Sequence, residues 1–250
     1  MAVDQRSVRN EILPATIGRL PEADWAVSGL TAQSVDQNEL LKSKAPIVFA
    51  FVLTFAFLLL LVSFRSIVIA GKAIVLNLLS VAAAYGVLVA VFQYGWGSSL
   101  LSFTPNGGVA FWLPIFMFVI LFGLSMDYHV FILSRIREAF DRGMKTEDAV
   151  AHGIKTTAGV VSSAALVMVG VFSIFATLPI VDMKELGIGL AAAVLIDATI
   201  VRAVLLPAAM KLLGDWNWYL PSWLEWLPKF NVEPELGEEA PESPPVPASS

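Results

Sequence analysis

Between Pro46 and Leu206 the sequence is a succession of apolar runs, several of them long enough to cross a hydrocarbon core about 30 Å thick as a helix. No water reaches the backbone inside such a core, so each run must satisfy its own peptide groups, and a helix does so. Hydrophobic residues make up 57% of the 250-residue chain and charged residues 15%, which excludes a soluble globule. The sequence therefore predicts an all-α polytopic membrane fold, a helix bundle of five spans at about 46–64, 67–92, 109–133, 156–177 and 186–206. The first two are joined by only a few residues around Arg65, which makes them antiparallel neighbours. Lys72 and Asn77 interrupt the second.

The flanks of this transmembrane domain (45–213) differ in character. Residues 1–44 are polar and charged. Trp25 to Leu30 alternates like a short strand, and Thr31 opens a helix-like stretch through Leu41. A strand and a helix of this size cannot bury a core, so the segment reads as the trailing edge of a soluble domain, with an independent short leader as the other reading. At the far end, 214–230 carries Trp216, Trp218, Tyr219, Trp223 and Trp226, a composition that suits an interfacial segment at the headgroup level. Residues 231–250 are rich in Glu, Pro and Ser with almost nothing to bury, and are expected to form a disordered acidic tail.

Loop charges predict the orientation. The connection from Ser134 to Lys155 carries Arg135, Arg137, Arg142, Lys145 and Lys155, while the loop from Gln93 to Gly108 has no charge. The positive-inside rule then places the basic loops and the C-terminus in the cytoplasm and the N-terminus outside. Lys42 and Lys44 argue weakly the other way. The basic connection is expected to be an interfacial helix pair, with Thr146 capping a helix whose first turn holds Glu147 and Asp148.

Several chemistries lack their residues. There is no cysteine, hence no disulfide framework and no thiolate metal site. Two histidines, His129 and His152, are too few for a His-based metal cluster. No basic patch with interleaved aromatics suggests nucleic acid, and the net charge of −5 is concentrated as acid in the tail.

What the apolar runs do contain is ionisable groups. Gly123 to Glu138 reads GLSMDYHVFILSRIRE. In a helix begun at Pro114, Asp127 lies roughly 20 Å along the axis, past the middle of the core. A carboxylate there costs at least ~2.5 kcal/mol, so a functional role is the default expectation. Burial disfavours the charged form of a carboxyl group, as a proton relay requires. Gly123, one turn earlier, leaves room beside Asp127 for a helix or a water. Ser134 shares that face, so a polar line can run toward the basic end. Tyr128, about 100° round the helix, can donate to a carboxylate on another helix. Asp197 and Arg202 lie in the last span; five residues apart, they are roughly 140° apart on an α-helix and are expected to face different neighbours. Gly187, Ala191 and Ala192, with Gly159, Ser163 and Gly170, are small residues suited to close packing.

These residues carry a resemblance. GLSMDYHVFILSRIREAF, a Ser/Ala-rich span, IGLAAAVLIDATIVRAVLLPAAMKLLG and DWNWYLP occur in the order seen in the C-terminal membrane half of the MMPL transporters of the resistance–nodulation–division superfamily. SGLTAQSVD and LLVSFRSIVIAGKAIVLNLLSVAAAYGVLV fit the same pattern, so that the resemblance covers about residues 26–228. It implies proton-motive-force-driven export of lipids or other amphiphiles from the cell membrane. Protons are then the coupling ion, and no other cofactor is involved. It further implies that residues 1–44 are a small remnant of an extracytoplasmic α/β porter domain, and that the partner is the missing N-terminal half or another protomer. Asp127 and Tyr128 match an Asp-Tyr pair of the family's proton site, and Asp197 and Arg202 match an acid and a base associated with the relay. His129 stands where family members commonly have an acidic residue; it is a possible accessory, as is Ser134.

Two other classes stay open on the residues. A non-transporting lipid-binding or assembly module would need none of this relay. An intramembrane aspartyl protease would use two membrane aspartates, but the glycine of that motif is replaced here by Met126.

Overall fold

The computed structural model describes residues 11–16, 30–101, 103–104 and 108–226. Five helices in it are long and apolar enough to cross a membrane. They are α1 (Leu30–Phe64), α2 (Ile67–Leu88), α3 (Leu113–Asp141), α4 (Thr146–Phe175) and α5 (Val181–Ile196). α2 ends in a π turn, Val89–Gln93, and α5 runs on through a π-helical segment, Asp197–Leu205, into α6 (Leu206–Leu213). The fifth crossing is thus one helix in which a π-wound piece separates two α-helical ones.

The expected all-helical membrane bundle is present, and the chain is a multi-pass membrane protein. The expected α/β remnant finds no support, because there is no strand among the described residues. Residues 25–29 of the anticipated strand lie outside the described residues, and Leu30 already belongs to α1. The tail at 231–250 also lies outside them.

The helices overrun the apolar runs that define them. α1 has 35 residues, about 52 Å at 1.5 Å per residue, far more than a 30 Å core requires. α3 and α4 likewise absorb the connection expected to be a separate interfacial pair, leaving only Arg142–Lys145 between them. That turn closes as a Schellman motif: Met144 N–H donates to Ala139 O at 3.3 Å and Gly143 N–H to Phe140 O at 2.9 Å. Gly143 takes φ 91°, a value glycine reaches without a steric cost. Lys145, not Thr146, holds the cap position, and Thr146 is the first helical residue. Its hydroxyl is used elsewhere, donating to Asp215 Oδ1 at 2.8 Å.

α1 and α2 turn on Arg65, at φ 48°, and pack as neighbours, as their short link requires. Ser66 then caps α2, its Oγ accepting from Ile69 N–H at 3.1 Å. α4 packs against α3 and α5, and α2 against α1 and α5, around a core that includes Leu88, Met117, Phe118, Phe122 and Leu190. Gly187 is there because α4 and α5 touch: a Cβ at that position would lie 2.6 Å from Phe172 O. Gly159, Ser163 and Gly170, grouped with it from the sequence, instead lie on the exposed side of α4.

The aromatic segment after α6 is tied into the basic end of the bundle. Asn217 is fully buried; its Nδ2 donates to Met210 O and Gly214 O, and its Oδ1 accepts from Lys72 Nζ at 2.9 Å. Trp218 stacks on Phe140 with Arg137 over its ring. Trp216, Tyr219, Trp223 and Trp226 remain exposed.

Candidate functional site

α3 presents two different polar lines one turn long. Ser125 and His129, four residues apart, are buried on its inner face. Gly123 and Asp127, also four apart, are exposed on its outer face, and no atom from beyond the local helix backbone would lie within 4 Å of a Cβ at Gly123. Tyr128 sits between the two lines and is half-buried. Ser134 donates to Val130 O at 2.7 Å, within its own helix.

The inner line meets the fifth crossing where the latter changes winding. Asp197 opens the π segment and Arg202 lies within it, both buried. They form an ion pair between Arg202 Nη2 and Asp197 Oδ2, with side chains 5% and 8% exposed. This corrects the expectation that they face different neighbours. The 140° separation belongs to an α-helix, whereas i→i+5 winding brings residues five apart nearly over one another. The helix has therefore given up ordinary winding where doing so pairs a buried acid with a buried base.

Ser125 braces that pair from across the helix interface. Its Oγ donates to Asp197 Oδ2 at 2.9 Å, and Arg202 Nη2 donates to Ser125 O at 3.2 Å. His129 Nδ1 lies 3.1 Å from Ser125 O. Because a carbonyl can only accept, Nδ1 carries the proton of the neutral ring, and Nε2 is left buried without a partner. The Tyr128 ring lies 4.6 Å from the Arg202 guanidinium, a cation–π contact, and its hydroxyl points to Met168 Sδ at 3.8 Å.

Of the residues singled out from sequence, Tyr128, His129, Asp197 and Arg202 therefore converge, while Asp127 and Ser134 stand apart from them. Ser125 belongs to the cluster and was not anticipated, since a lone serine in an apolar helix carries no signal of its own. Chemically, the cluster is a charge pair that a proton can loosen: protonating the carboxylate of Asp197 removes the negative partner that holds Arg202. Among the described residues there is no group of three or more His, Asp or Glu side chains that could hold a metal ion.

Comparison with known proteins adds the lineage. The family model described as "MMPL family" matches residues 6–227. The chain is 43% identical over 229 residues to a mycolic acid-containing lipids exporter, MmpL11, of Mycolicibacterium smegmatis, covering 92% of this chain and 23% of that protein. It is 46% identical over 198 residues to the heme uptake protein MmpL11 of Mycobacterium tuberculosis, covering 79% of this chain and 20% of that protein. It is 39% identical over 199 residues to the trehalose monomycolate exporter MmpL3 of the same organism, covering 79% and 21%. The chain thus spans about a fifth of the length of these relatives.

Proposed function

Because the chain belongs to the MMPL family of membrane transporters, we propose that it is the proton-handling C-terminal membrane half of an exporter of lipids or other amphiphiles. The observation that carries this reading is the buried Asp197–Arg202 pair, held by Ser125 on a π-wound segment of a membrane-crossing helix. A bare buried pair is weak evidence for stability and is often replaceable by apolar residues. A pair for which a helix abandons its winding fits a working role better, and π segments are frequent at functional sites.

In this reading Asp127 is the proton acceptor on the outer face of α3, where further polypeptide of the transporter, continuous or separate, packs against it. Tyr128 joins the outer line to the inner one, its ring resting against Arg202. A proton that neutralises Asp197 frees Arg202 to shift, and the displacement of a charged side chain is what couples proton entry to movement of the fifth crossing. One elementary charge moved through 100 mV is worth about 2.3 kcal/mol, enough to bias such a step. The basic end, with Arg135, Arg137, Arg142, Lys145 and Lys155, faces the cytoplasm, and the C-terminus with it.

Cargo is a lipid or comparable amphiphile, by likeness to the two relatives named as exporters. The cavity beside the charge pair, at about 20 Å³, is far too small for such a molecule. In this reading the cluster around Asp197 handles protons and does not hold the cargo.

The test is lipid export in cells from which the transporter has been removed and resupplied. Asp197→Asn, inserted at the wild-type level, is expected to lose export, since it removes the titratable group and keeps its shape. Undiminished export by that variant would contradict the reading and favour a non-transporting membrane module.

A further inference from the structure

The cavity between α2, α3, α4 and the π segment is small and unevenly lined. Its walls are apolar except at Asn77, Ser80, Ser125, Tyr128, Asp197 and Arg202. Its volume is about 20 Å³, and by the same measure one water molecule requires about 10–15 Å³. It has room for one water and little else.

Asn77 is the residue that needs explaining. It lies in LNLLSV, where a leucine of nearly the same size would suit an apolar run, and it is only 1% exposed. Neither its Oδ1 nor its Nδ2 has a hydrogen-bond partner. Buried amides in native proteins are almost always bonded, to protein or to ordered water, and an unexplained exception points to an absent partner. A second residue of the cavity wall also carries an orphan: Asp197 Oδ2 is held by Ser125 and Arg202, but Oδ1 is bonded to nothing. Arg202 Nε is a third. Orphaned donors and orphaned acceptors around a space of one water's size form a built site.

We propose that this cavity binds one water molecule, held by the Asn77 amide against Asp197 Oδ1, and that Asn77 is thereby a positioning residue for proton transfer to Asp197. The water accepts from Asn77 Nδ2 and donates one O–H to Asp197 Oδ1; its other O–H is within the compass of Asn77 Oδ1. When this water receives a proton and becomes hydronium, it passes one to Oδ1 along the existing hydrogen bond. A neutral water and a neutral carboxyl group remain, and Arg202 keeps its charge. The water site stands on the cavity and its orphans alone. The positioning role rests on the proton-coupled reading above.

Infrared spectroscopy of the full chain in lipid, with ordinary and with oxygen-18 water, tests the site. Wild type is expected to show an isotope-sensitive O–H stretch from a single water held in the cavity. Asn77→Leu should lose that band and Asn77→Ser, which puts a hydroxyl in place of the amide and enlarges the space, should keep it at a shifted frequency. Asp197→Asn should also shift it, because the strong carboxylate acceptor becomes an amide. An unchanged band in Asn77→Leu overturns the site; should that variant not fold, an unchanged band in Asp197→Asn does so. Proton flux through the assembled transporter tests the role: Asn77→Leu should lower it roughly tenfold or more, and Asn77→Ser should recover much of the loss. Wild-type flux in Asn77→Leu, with its water band gone, overturns the positioning role. Wild-type flux in Asp197→Asn would instead remove the proton-coupled reading and leave the water site untouched.

Discussion

At the scale of single residues, the charge pair shows how much of its stability depends on completeness. Asp197 and Arg202 are nearly inaccessible, so removing one partner leaves the other buried and uncompensated. Such a loss costs about 3–5 kcal/mol, while replacing both partners by apolar or neutral residues of similar size is often close to neutral. Arg202→Met is therefore expected to lower the unfolding temperature of the purified chain markedly. Asp197→Asn combined with Arg202→Met should recover most of that loss. Unfolding followed by circular dichroism in detergent reads the difference; equal losses in the single and double variants would show that the pair is not held as described. The acids and the base were legible in the sequence because charged residues in an apolar run are costly and few. Ser125 and Asn77 were not legible as parts of a site. Serine and asparagine are tolerable in any such helix, and only packing across 72 residues of chain brings Ser125 Oγ to Asp197.

At the scale of the element, the crossing helices could be counted from the apolar runs, because hydrocarbon thickness sets a minimum length. Their ends could not, since polar residues continue a helix beyond the core as readily as they stop it. The winding of 197–205 was equally hidden: DATIVRAVL contains no breaker, and the pairing of Asp197 with Arg202 is what reveals it. A π segment amounts to one residue more than an α-helix of the same span, so deleting one residue should restore ordinary winding. Where the deletion falls decides the outcome. Deleting exposed Thr199 leaves acid and base four apart, on one face of an α-helix, and should preserve the pair and most of the stability. Deleting exposed Ala203 leaves them five apart on an α-helix, splits them by about 140°, and should destabilise the chain about as much as losing one partner. Comparable thermal stability in the two deletions would argue against winding as the cause of the pairing.

At the scale of the molecule, the outer face of α3 is the open question the bundle poses. Asp127 and Gly123 lie on it, and the exposed side of α4 carries Gly159, Ser162, Ser163 and Gly170. Lipid is a poor neighbour for an aspartate, at a cost of roughly 2.5 kcal/mol or more at depth. In the proposed reading a further helix of the transporter covers it, and the chain spans only about a fifth of the length of its relatives. The sequence located Asp127 at membrane depth but could not say which way it faces, because facing is settled by which neighbours the other side of the helix buries. With Asp127 outside and Asp197 inside, the two acids stand on either side of α3, and in the proposed reading they serve one proton path in series. Proton flux into vesicles holding the assembled transporter, driven by a pH difference, measures this directly. The account predicts that Asp127→Asn, Asp197→Asn and the double variant all fall to the same background, because a series path fails at any link. Wild-type flux in either single variant would contradict it.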